Sequence, residues 1–374
     1  MAAKIFTPLD LGGITLPNRI VISPMCQYQA DDGSMNDWHL VHLGHLSYSG
    51  AGLMMLEATH VTREGRITHA CAGLYSEHNE ASMKRVIDAC RRLSKNPIGI
   101  QLGHAGRKAS SQVPWEGRLW LSAEQSPWRT VAPSAIAHGE GWHVPHELSA
   151  AELKAHVEAF VGSTIRARRV GLDVVELHSA HGYLLHQFLS PLSNQRKDEY
   201  GKNRMKFPLE VAAAVRESWP RDRALGARIS AHDWADGGLG PDDAISYARE
   251  LKRIGFDYVC VSTGGLVANQ KLPPSGPGYQ VQFAEKVKRA VPDIKVRAVG
   301  MIADPDQAEQ IVASGKADMV AMARAFLDNP RWPWHAAERF GVKIDYPPSY
   351  ARSHPAVWPR AQLVRPAVRE GAHT

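Results

Sequence analysis

The segment ELHSAHGY, residues 176–183, carries two imidazoles and a phenol within one short stretch. Histidines three residues apart, such as His178 and His181, can bind a metal ion or donate hydrogen bonds to a substrate oxygen. A metal would need a third ligand, and the zinc patterns HxH and HExxH are both absent from the sequence. The lack of these patterns argues against a metal, the two histidines could instead bind a substrate oxygen, and Tyr183 beside them could deliver a proton. The alternative is that these polar groups only cap the end of a strand.

A second candidate is the segment SPMCQY, residues 23–28, which directly follows an apolar run. Its Cys26 could act as a nucleophile or as a polarizable group beside an aromatic cofactor. A lone cysteine is also a common small core residue, so the residue type alone does not choose between these roles.

Polar side chains also lie at or after other apolar runs. Gln101 lies in the apolar run Ile98–His104, and Lys108 follows that run. Arg228 lies near the end of the apolar run Leu225–Ser230. An arginine at the mouth of a barrel is costly to bury without an anionic partner, although a surface ion pair is the alternative. Gly300 ends the apolar run Val296–Gly300, and Arg324 follows the run Met319–Ala323. The loops after the last two strands of a barrel commonly bind phosphate. Glycine allows the backbone to approach a phosphate closely, and arginine supplies positive charge.

Three more histidines, His39, His42 and His45, follow one another in three-residue steps. Such steps drift around a helix, so the imidazole rings point in different directions. We interpret these residues as the polar face of a helix and not as a metal site.

Short apolar runs, in which apolar and polar residues do not alternate, indicate strands of a parallel sheet that is covered on both faces. The eight runs are Arg19–Ser23, Leu53–Ala58, Ile98–His104, Asp173–His178, Leu225–Ser230, Tyr258–Thr263, Val296–Gly300 and Met319–Ala323. Apolar residues at three- and four-residue spacing predict helices between most of these runs. The predicted helices are Glu80–Leu93, Glu152–Val170, Asn203–Trp219, Asp242–Ile254, Gln280–Val291 and Pro305–Ser314.

The repeated strand–helix order predicts an α/β fold, a (β/α)8 TIM barrel with its active residues at the C-terminal ends of the strands. The stretch from 105 to 148 is too long for a simple connection, so we predict an extended loop after strand 3, either a lid or a surface excursion. We expect one barrel domain at residues 1–350 and a Pro/Arg-rich C-terminal tail at residues 351–374.

Composition restricts the class of protein. The chain has 374 residues, 44% of them hydrophobic, and a formal net charge of +6, which excludes a chain disordered by composition. The small positive excess favours an anionic small ligand over nucleic acid. Four cysteines without a CxxC pair, no signal-peptide pattern and no long apolar run indicate a cytoplasmic protein that does not span a membrane. The GxGxxG and Walker A loops are absent.

Taken together, these segments resemble the old yellow enzyme family of FMN-dependent ene-reductases, from about residue 6 to residue 350. SPMCQY is similar to the bacterial class of NADPH dehydrogenases that carries a cysteine near the flavin. The resemblance also rests on Pro17-Asn-Arg19, Gly103-His-Ala-Gly-Arg-Lys108, Ala132-Pro-Ser134 and the segment 178–183. It implies a barrel that binds FMN without a covalent link and uses NADPH or NADH as reductant.

The resemblance also assigns roles to individual residues. The residues it places at the flavin are Ser23, Pro24, Met25, Cys26, Ala58, Gln101 and Arg228, and at the FMN phosphate Gly300, Ala323 and Arg324. The residues it places at the substrate are Tyr28, Lys108, His178, His181 and Tyr183, with Tyr183 as the proton donor. The implied reaction transfers a hydride from flavin N5 to the β-carbon of an α,β-unsaturated carbonyl or nitro compound.

Related chains often carry an arginine near the C-terminus that reaches a neighbouring subunit, and Arg352 is the candidate here. The resemblance thus implies a homodimer or homotetramer, in which the tail could extend, block or ignore the neighbour's site. Three alternatives remain open. The protein could be a same-family flavin reductase acting mainly on nitro compounds or quinones, a metal-dependent barrel hydrolase, or a non-catalytic flavin- or phosphate-binding module.

Overall fold

Eight parallel strands close into a barrel at the centre of the computed structural model, which describes residues 3–273 and 275–363. The strands are β1 (Ile20–Ile22), β2 (Leu53–His60), β3 (Ile98–Gly103), β4 (Val174–Ser179), β5 (Ala224–Ser230), β6 (Tyr258–Ser262), β7 (Lys295–Val299) and β8 (Met319–Met322). Each strand pairs in parallel with its neighbours in chain order, and β8 pairs with β1. The predicted (β/α)8 barrel is confirmed.

Helices follow every strand and cover the outside of the barrel. They are α1 (Asp37–Ser47), α2 (Glu77–Leu93), α3 (Ala150–Val170), α4 (Leu184–Leu189), α5 (Glu199–Lys202), α6 (Lys206–Ser218), α7 (Pro241–Ile254), α8 (Val281–Ala290), α9 (Pro305–Ala313), α10 (Arg324–Asp328) and α11 (Trp332–Arg339). Local chemistry sets their ends, since Ser149 and Glu152 form a capping box at the start of α3 and Gly171 ends it in a left-handed conformation.

An antiparallel hairpin, Leu9–Leu11 paired with Ile14–Leu16, precedes the barrel. Its Leu9, Leu11 and Leu16 are buried in one apolar cluster with residues on the inner face of the strands, such as Val21 and Met55. The hairpin therefore closes the N-terminal end of the barrel, opposite the end where the strands deliver their functional residues.

The stretch between β3 and α3 packs on the barrel and is not a simple surface excursion. The buried Arg107 guanidinium donates hydrogen bonds to the carbonyls of Ile136, Ala137 and Leu266 at 2.9–3.2 Å. The Trp115 ring, which is exposed, lies edge-on to Tyr28 with the ring centroids 6.1 Å apart. This extended loop thus reaches the mouth of the barrel.

The predicted strand boundaries agree with the structure to within two residues, but one interpretation of a helix face is wrong. His39 is buried and not part of a polar surface, because its Nε2 lies 3.3 Å from Oε1 of the buried Glu57. The predictions also missed the hairpin and the short helices α4, α5, α10 and α11, whose lengths give too few residues for a periodic pattern. None of the helices in residues 3–273 and 275–363 is long and apolar enough to cross a membrane.

Candidate functional site

A cavity of about 760 Å³ opens at the C-terminal ends of β1 and β4–β8. Seven of the residues that the sequence analysis assigned to cofactor or substrate line it: Ser23, Pro24, His181, Arg228, Gly300, Ala323 and Arg324. Its volume is in the range of small-molecule and cofactor sites. Residues in or after six strands that are far apart in sequence therefore meet in one concave site.

A second group of predicted residues lies beside the cavity, where β4 ends. The His178 ring contacts the rings of His181 and Tyr183, with centroids 5.2 and 4.7 Å away. Cys26 and Tyr28 pack with Tyr183 against the same small buried cluster. The two segments that the sequence analysis singled out thus form one surface at the mouth of the barrel.

Both histidines of this group are neutral at physiological pH. Burial, reinforced by the nearby Arg228, holds the pKa of His178 and of His181 well below the usual value. The Ala180 N–H donates to Nδ1 of His178 at 3.3 Å, so the neutral ring carries its proton on Nε2. His178 can therefore act as a hydrogen-bond donor from Nε2 without being a cation.

The backbone of His181 is fixed on both sides. Its N–H donates to Ser230 Oγ at 3.1 Å, and its carbonyl accepts from Lys108 Nζ at 2.9 Å. Its ring Nε2 lies 2.8 Å from Ser262 Oγ, and within the described residues Nδ1 has no hydrogen-bond partner, so Nδ1 can meet a ligand. Ser262 carried no signal in the sequence, because it is an ordinary strand residue until β4 and β6 are placed together.

Lys108 lies against the phenol and does not reach out into the cavity. Its Nζ is 5.2 Å from the centroid of the Tyr183 ring and donates to the carbonyls of His181 and Gly265. Burial, with Arg107 and Arg118 nearby, lowers the pKa of Lys108 to about 8. The ammonium group therefore links the loop after β4 to the loop after β6.

Cys26 is a protonated thiol at neutral pH. Burial raises its pKa well above the usual value, and the neighbouring Cys71 and Glu57 act in the same direction. A cysteine nucleophile needs the opposite shift, because the thiolate is the reactive form. The local electrostatics thus favour the interpretation of Cys26 as an uncharged, polarizable group.

A buried polar layer crosses the barrel interior below this site. Glu176 accepts hydrogen bonds from Gln101 Nε2 at 2.7 Å and Tyr258 Oη at 2.9 Å, and it forms an ion pair with Arg297. Glu176 and Arg297 are both fully buried. Because the Gln101 amide donates downward to Glu176, its Oε1 remains as an acceptor for a ligand above the layer. The adjacent residue on β2 is Ala58, which is buried and pairs with Gln101 in the strand register.

Two other predicted positions are not among the described residues that line the cavity. Met25 is half-buried and packs against the main apolar core. Arg352 is exposed, in the short 3-10 helix Pro348–Ser353 near the end of the described chain. The predicted tail from 351 onward is described only as far as 363, and residues 364–374 lie outside the described part.

One cluster in the described chain has the spacing for a metal ion, with ligand atoms of Glu64, His104 and His156 within 4.8 Å of one another. Its hydrogen bonds argue against metal binding. The Gly106 N–H donates to His104 Nδ1, so a neutral His104 carries its proton on Nε2, the atom that would have to bind the ion. His156 Nδ1 donates to the Glu152 carbonyl at 2.7 Å, and within the described residues the Nε2 atoms of both histidines are buried without a hydrogen-bond partner.

The cavity residues fit an FMN phosphate and a polar heterocycle. Ser23 Oγ and Arg228 Nε are buried and, within the described chain, without hydrogen-bond partners, which suits polar ring atoms of a ligand. Arg324 is exposed at the cavity wall and supplies a positive charge. Gly300 has φ +116°, and a Cβ there would lie 2.3 Å from Nε2 of Gln280, so this position in the cavity wall requires glycine.

The barrel and its cavity place the protein among the (β/α)8 enzymes that bind their ligands at the C-terminal ends of the strands. Within that class, the chain belongs to the NADH:flavin oxidoreductase / NADH oxidase family, whose sequence model matches residues 4–341. The old yellow enzyme resemblance is confirmed by this match. The protein is thus a flavin-dependent oxidoreductase that uses FMN with NADPH or NADH.

Individual relatives agree with this assignment. The chain is 41% identical to an NADPH dehydrogenase of Geobacillus thermodenitrificans over 357 residues, which cover 94% of this chain and 99% of that protein. It is 40% identical to an NADPH dehydrogenase of Listeria innocua over 356 residues, with the same coverage of both chains. Morphinone reductase in complex with tetrahydroNAD superposes with a TM-score of 0.72 at 28% identity, over 92% of this chain and 93% of that one.

Proposed function

We propose that this flavin oxidoreductase is an ene-reductase that reduces the C=C bond of α,β-unsaturated carbonyl or nitro compounds. The observation that carries the proposal is the contact of His178 with both His181 and Tyr183 beside the cavity. Two neutral donors can polarise one substrate oxygen, and a phenol next to them can protonate the α-carbon. When bound, FMN takes a hydride from the nicotinamide and delivers a hydride to the β-carbon.

In this proposal each side chain acts from a stated atom. His178 donates from Nε2. His181 donates from Nδ1 in the tautomer whose Nε2 accepts from Ser262, which requires the Ser262 hydroxyl to turn from Gln280 Oε1 toward the imidazole. Tyr183 releases its phenolic proton and is reprotonated from solvent. Arg228 stabilises the negative charge that the cofactor gains on reduction, because an opposite charge in a partly buried site is only weakly screened.

The proposal is tested with the purified protein under anaerobic conditions. NADPH should bleach the visible flavin bands, and 2-cyclohexenone or a nitroalkene should restore them with formation of the saturated product. Reoxidation of the bleached protein by a quinone, but by neither 2-cyclohexenone nor the nitroalkene, would contradict the proposal that activated alkenes are its electron acceptors.

Arg324 is proposed to hold the FMN phosphate together with the backbone at Gly300 and Ala323, which line the same cavity. Replacement of Arg324 with alanine should weaken FMN binding, and the remaining affinity should fall further as salt screens the site. The dissociation constant is measured by flavin fluorescence at several salt concentrations. Arg289→Ala, which removes another exposed charge, from α8 outside the cavity, is the matched control. Equal constants for the Arg324 and Arg289 variants would place the phosphate elsewhere.

Cys26 is proposed to line the flavin and to tune its reduction potential without attacking the substrate. Because the pKa of its thiol is raised, Cys26→Ala should keep FMN and measurable turnover, with a shifted potential. The potential is measured by redox titration, with Cys90→Ala, on the buried face of α2, as control. Complete loss of turnover with FMN still bound would instead indicate covalent catalysis.

We also propose a cytoplasmic homo-oligomer, a dimer or tetramer, in which Arg352 of one chain contacts the site of another. The exposure of Arg352 supports this proposal, because its guanidinium is accessible to a second copy. Light scattering gives the oligomeric state. A monomer with full activity would exclude any contribution of Arg352 from a neighbouring subunit.

A further inference from the structure

The turn from His181 to Tyr183 leaves β4 through two consecutive left-handed residues. The backbone φ angle is +58° at His181 and +73° at Gly182. A Cβ on residue 182 would lie 2.2 Å from the Gly265 carbonyl oxygen, so this position requires glycine. Positive φ is uncommon for a residue with a side chain such as His181, so the surroundings must hold the turn in place.

The peptide groups of Gly182 are held by two side chains of the following helix, α4. The Gly182 N–H donates to His186 Nδ1 at 2.9 Å, and the Gly182 carbonyl accepts from Gln187 Nε2 at 2.7 Å. His186 and Gln187 are both fully buried. The direction of the turn, and with it the direction of the His181 and Tyr183 side chains, therefore depends on these two contacts.

His186 is in turn held by a buried carboxylate from the loop after β5. Its Nε2 lies 2.8 Å from Oδ1 of Asp233, and neither side chain is exposed. Oδ2 of Asp233 accepts from Ser190 Oγ at 2.7 Å and from the Leu239 N–H at 2.8 Å. Because the Gly182 N–H donates to Nδ1, the neutral His186 ring carries its proton on Nε2, at ion-pair distance from the Asp233 carboxylate, which can only accept.

We infer that the buried pair His186–Asp233 positions the substrate-binding and proton-donating turn, with Asp233 selecting the His186 tautomer that accepts the Gly182 N–H. The inference rests on the proposed roles of His181 and Tyr183 in alkene reduction. His186 touches neither cavity nor substrate and is a positioning residue. Without its acceptor, the buried Gly182 N–H loses its partner, and the turn relaxes away from the geometry in which Tyr183 contacts His178.

Two conservative variants separate the contact of His186 with the Gly182 N–H from its contact with Asp233. In His186→Asn the side-chain oxygen takes the place of Nδ1 and can accept from Gly182, but the contact with Asp233 is lost. In His186→Gln the amide nitrogen takes the place of Nε2 and can donate to Asp233, but no acceptor faces Gly182. We expect His186→Gln to slow reoxidation by 2-cyclohexenone about 10-fold or more, as misplaced catalytic groups do, and His186→Asn to stay close to the parent rate.

A third variant changes Asp233, the other member of the His186–Asp233 pair. In Asp233→Asn the remaining oxygen must serve Ser190 and Leu239, so the new NH₂ group faces His186 Nε2. That contact forces the His186 proton onto Nδ1, where it opposes the Gly182 N–H. This nearly isosteric variant should therefore resemble His186→Gln, and it tests the inference even if His186→Gln does not fold.

The two half-reactions are measured by stopped-flow for each folded variant, together with its urea unfolding curve. Reduction by NADPH should be slowed much less than reoxidation by the enone in each variant, because the NADPH half-reaction takes no proton from Tyr183. Ser190→Ala removes one Asp233 contact without touching Gly182, so it should lower stability but leave enone reduction unchanged.

Equal slowing of enone reduction by His186→Asn and His186→Gln, in proportion to lost stability, would overturn the positioning role and leave the proposed function intact. Parent-like rates for His186→Gln and Asp233→Asn would overturn it as well. Parent-like enone reduction by Tyr183→Phe would instead overturn the proposed function, and with it the inference. Slowing by His186→Gln and Asp233→Asn alone is the expected result.

Discussion

Tyr183→Phe is expected to slow enone reduction by about 10²–10⁴-fold, the usual contribution of a positioned proton donor. Burial raises the pKa of Tyr183 above its ordinary value, so the phenol keeps its proton at neutral and mildly alkaline pH. Only the hydroxyl is removed, and the ring contact with His178 remains. Reduction by NADPH requires no proton on an alkene carbon and should be almost unchanged.

Stopped-flow measurement of each half-reaction separates these effects. Reoxidation by a quinone, whose oxygens can take protons from solvent, should suffer much less than reoxidation by 2-cyclohexenone. Tyr247→Phe is the matched control, because Tyr247 is also a buried phenol but is bonded to Ser179 on the outer side of β4. If the Tyr183→Phe variant reduces the enone at the parent rate, another group delivers the proton.

The second large effect is expected at Glu176, in the buried layer below the site. Glu176→Gln leaves the Arg297 guanidinium buried without a counter-charge, which costs about 3–5 kcal/mol of unfolding free energy. Removing only one hydrogen bond to the same carboxylate, by Tyr258→Phe, should cost about 1.5–3 kcal/mol. Urea unfolding in the presence of saturating FMN gives both values.

A double variant distinguishes the unpaired charge from simple loss of packing. Glu176→Gln combined with Arg297→Met has no buried charge at this position, and the glutamine can still bond to Gln101 and Tyr258. Its stability should return most of the way to that of the parent, so the two substitutions should be strongly non-additive. Additive losses would mean that the ion pair is not what stabilises the layer.

The buried layer also shows where sequence-based prediction reaches its limit. The strands of the barrel could be placed within two residues, because each is a local apolar run that is bounded by polar or turn-forming residues. The contacts of Glu176 with Gln101, Tyr258 and Arg297 bridge 75, 82 and 121 residues of sequence. No local pattern contains such pairs, since they arise only when the barrel closes.

The candidate site divides in the same way. His178, His181 and Tyr183 could be predicted because they share one segment and one strand end. Ser262, Asp233 and the burial of His39 could not be predicted, because each depends on a partner from another strand or helix. His186 did have a local signal, a further histidine just after Tyr183, but its importance follows from the direction of its Nδ1 toward Gly182.

The N-terminal hairpin has a kinetic consequence. Because Leu9, Leu11 and Leu16 seal the far end of the barrel, ligands enter and leave through one mouth. Under the proposed function, we expect the nicotinamide and the alkene to use this mouth and occupy the same space in turn, so that the first product departs before the second reactant arrives. Steady-state rates should follow a substituted-enzyme scheme with parallel double-reciprocal plots, and each reactant in excess should compete with the other.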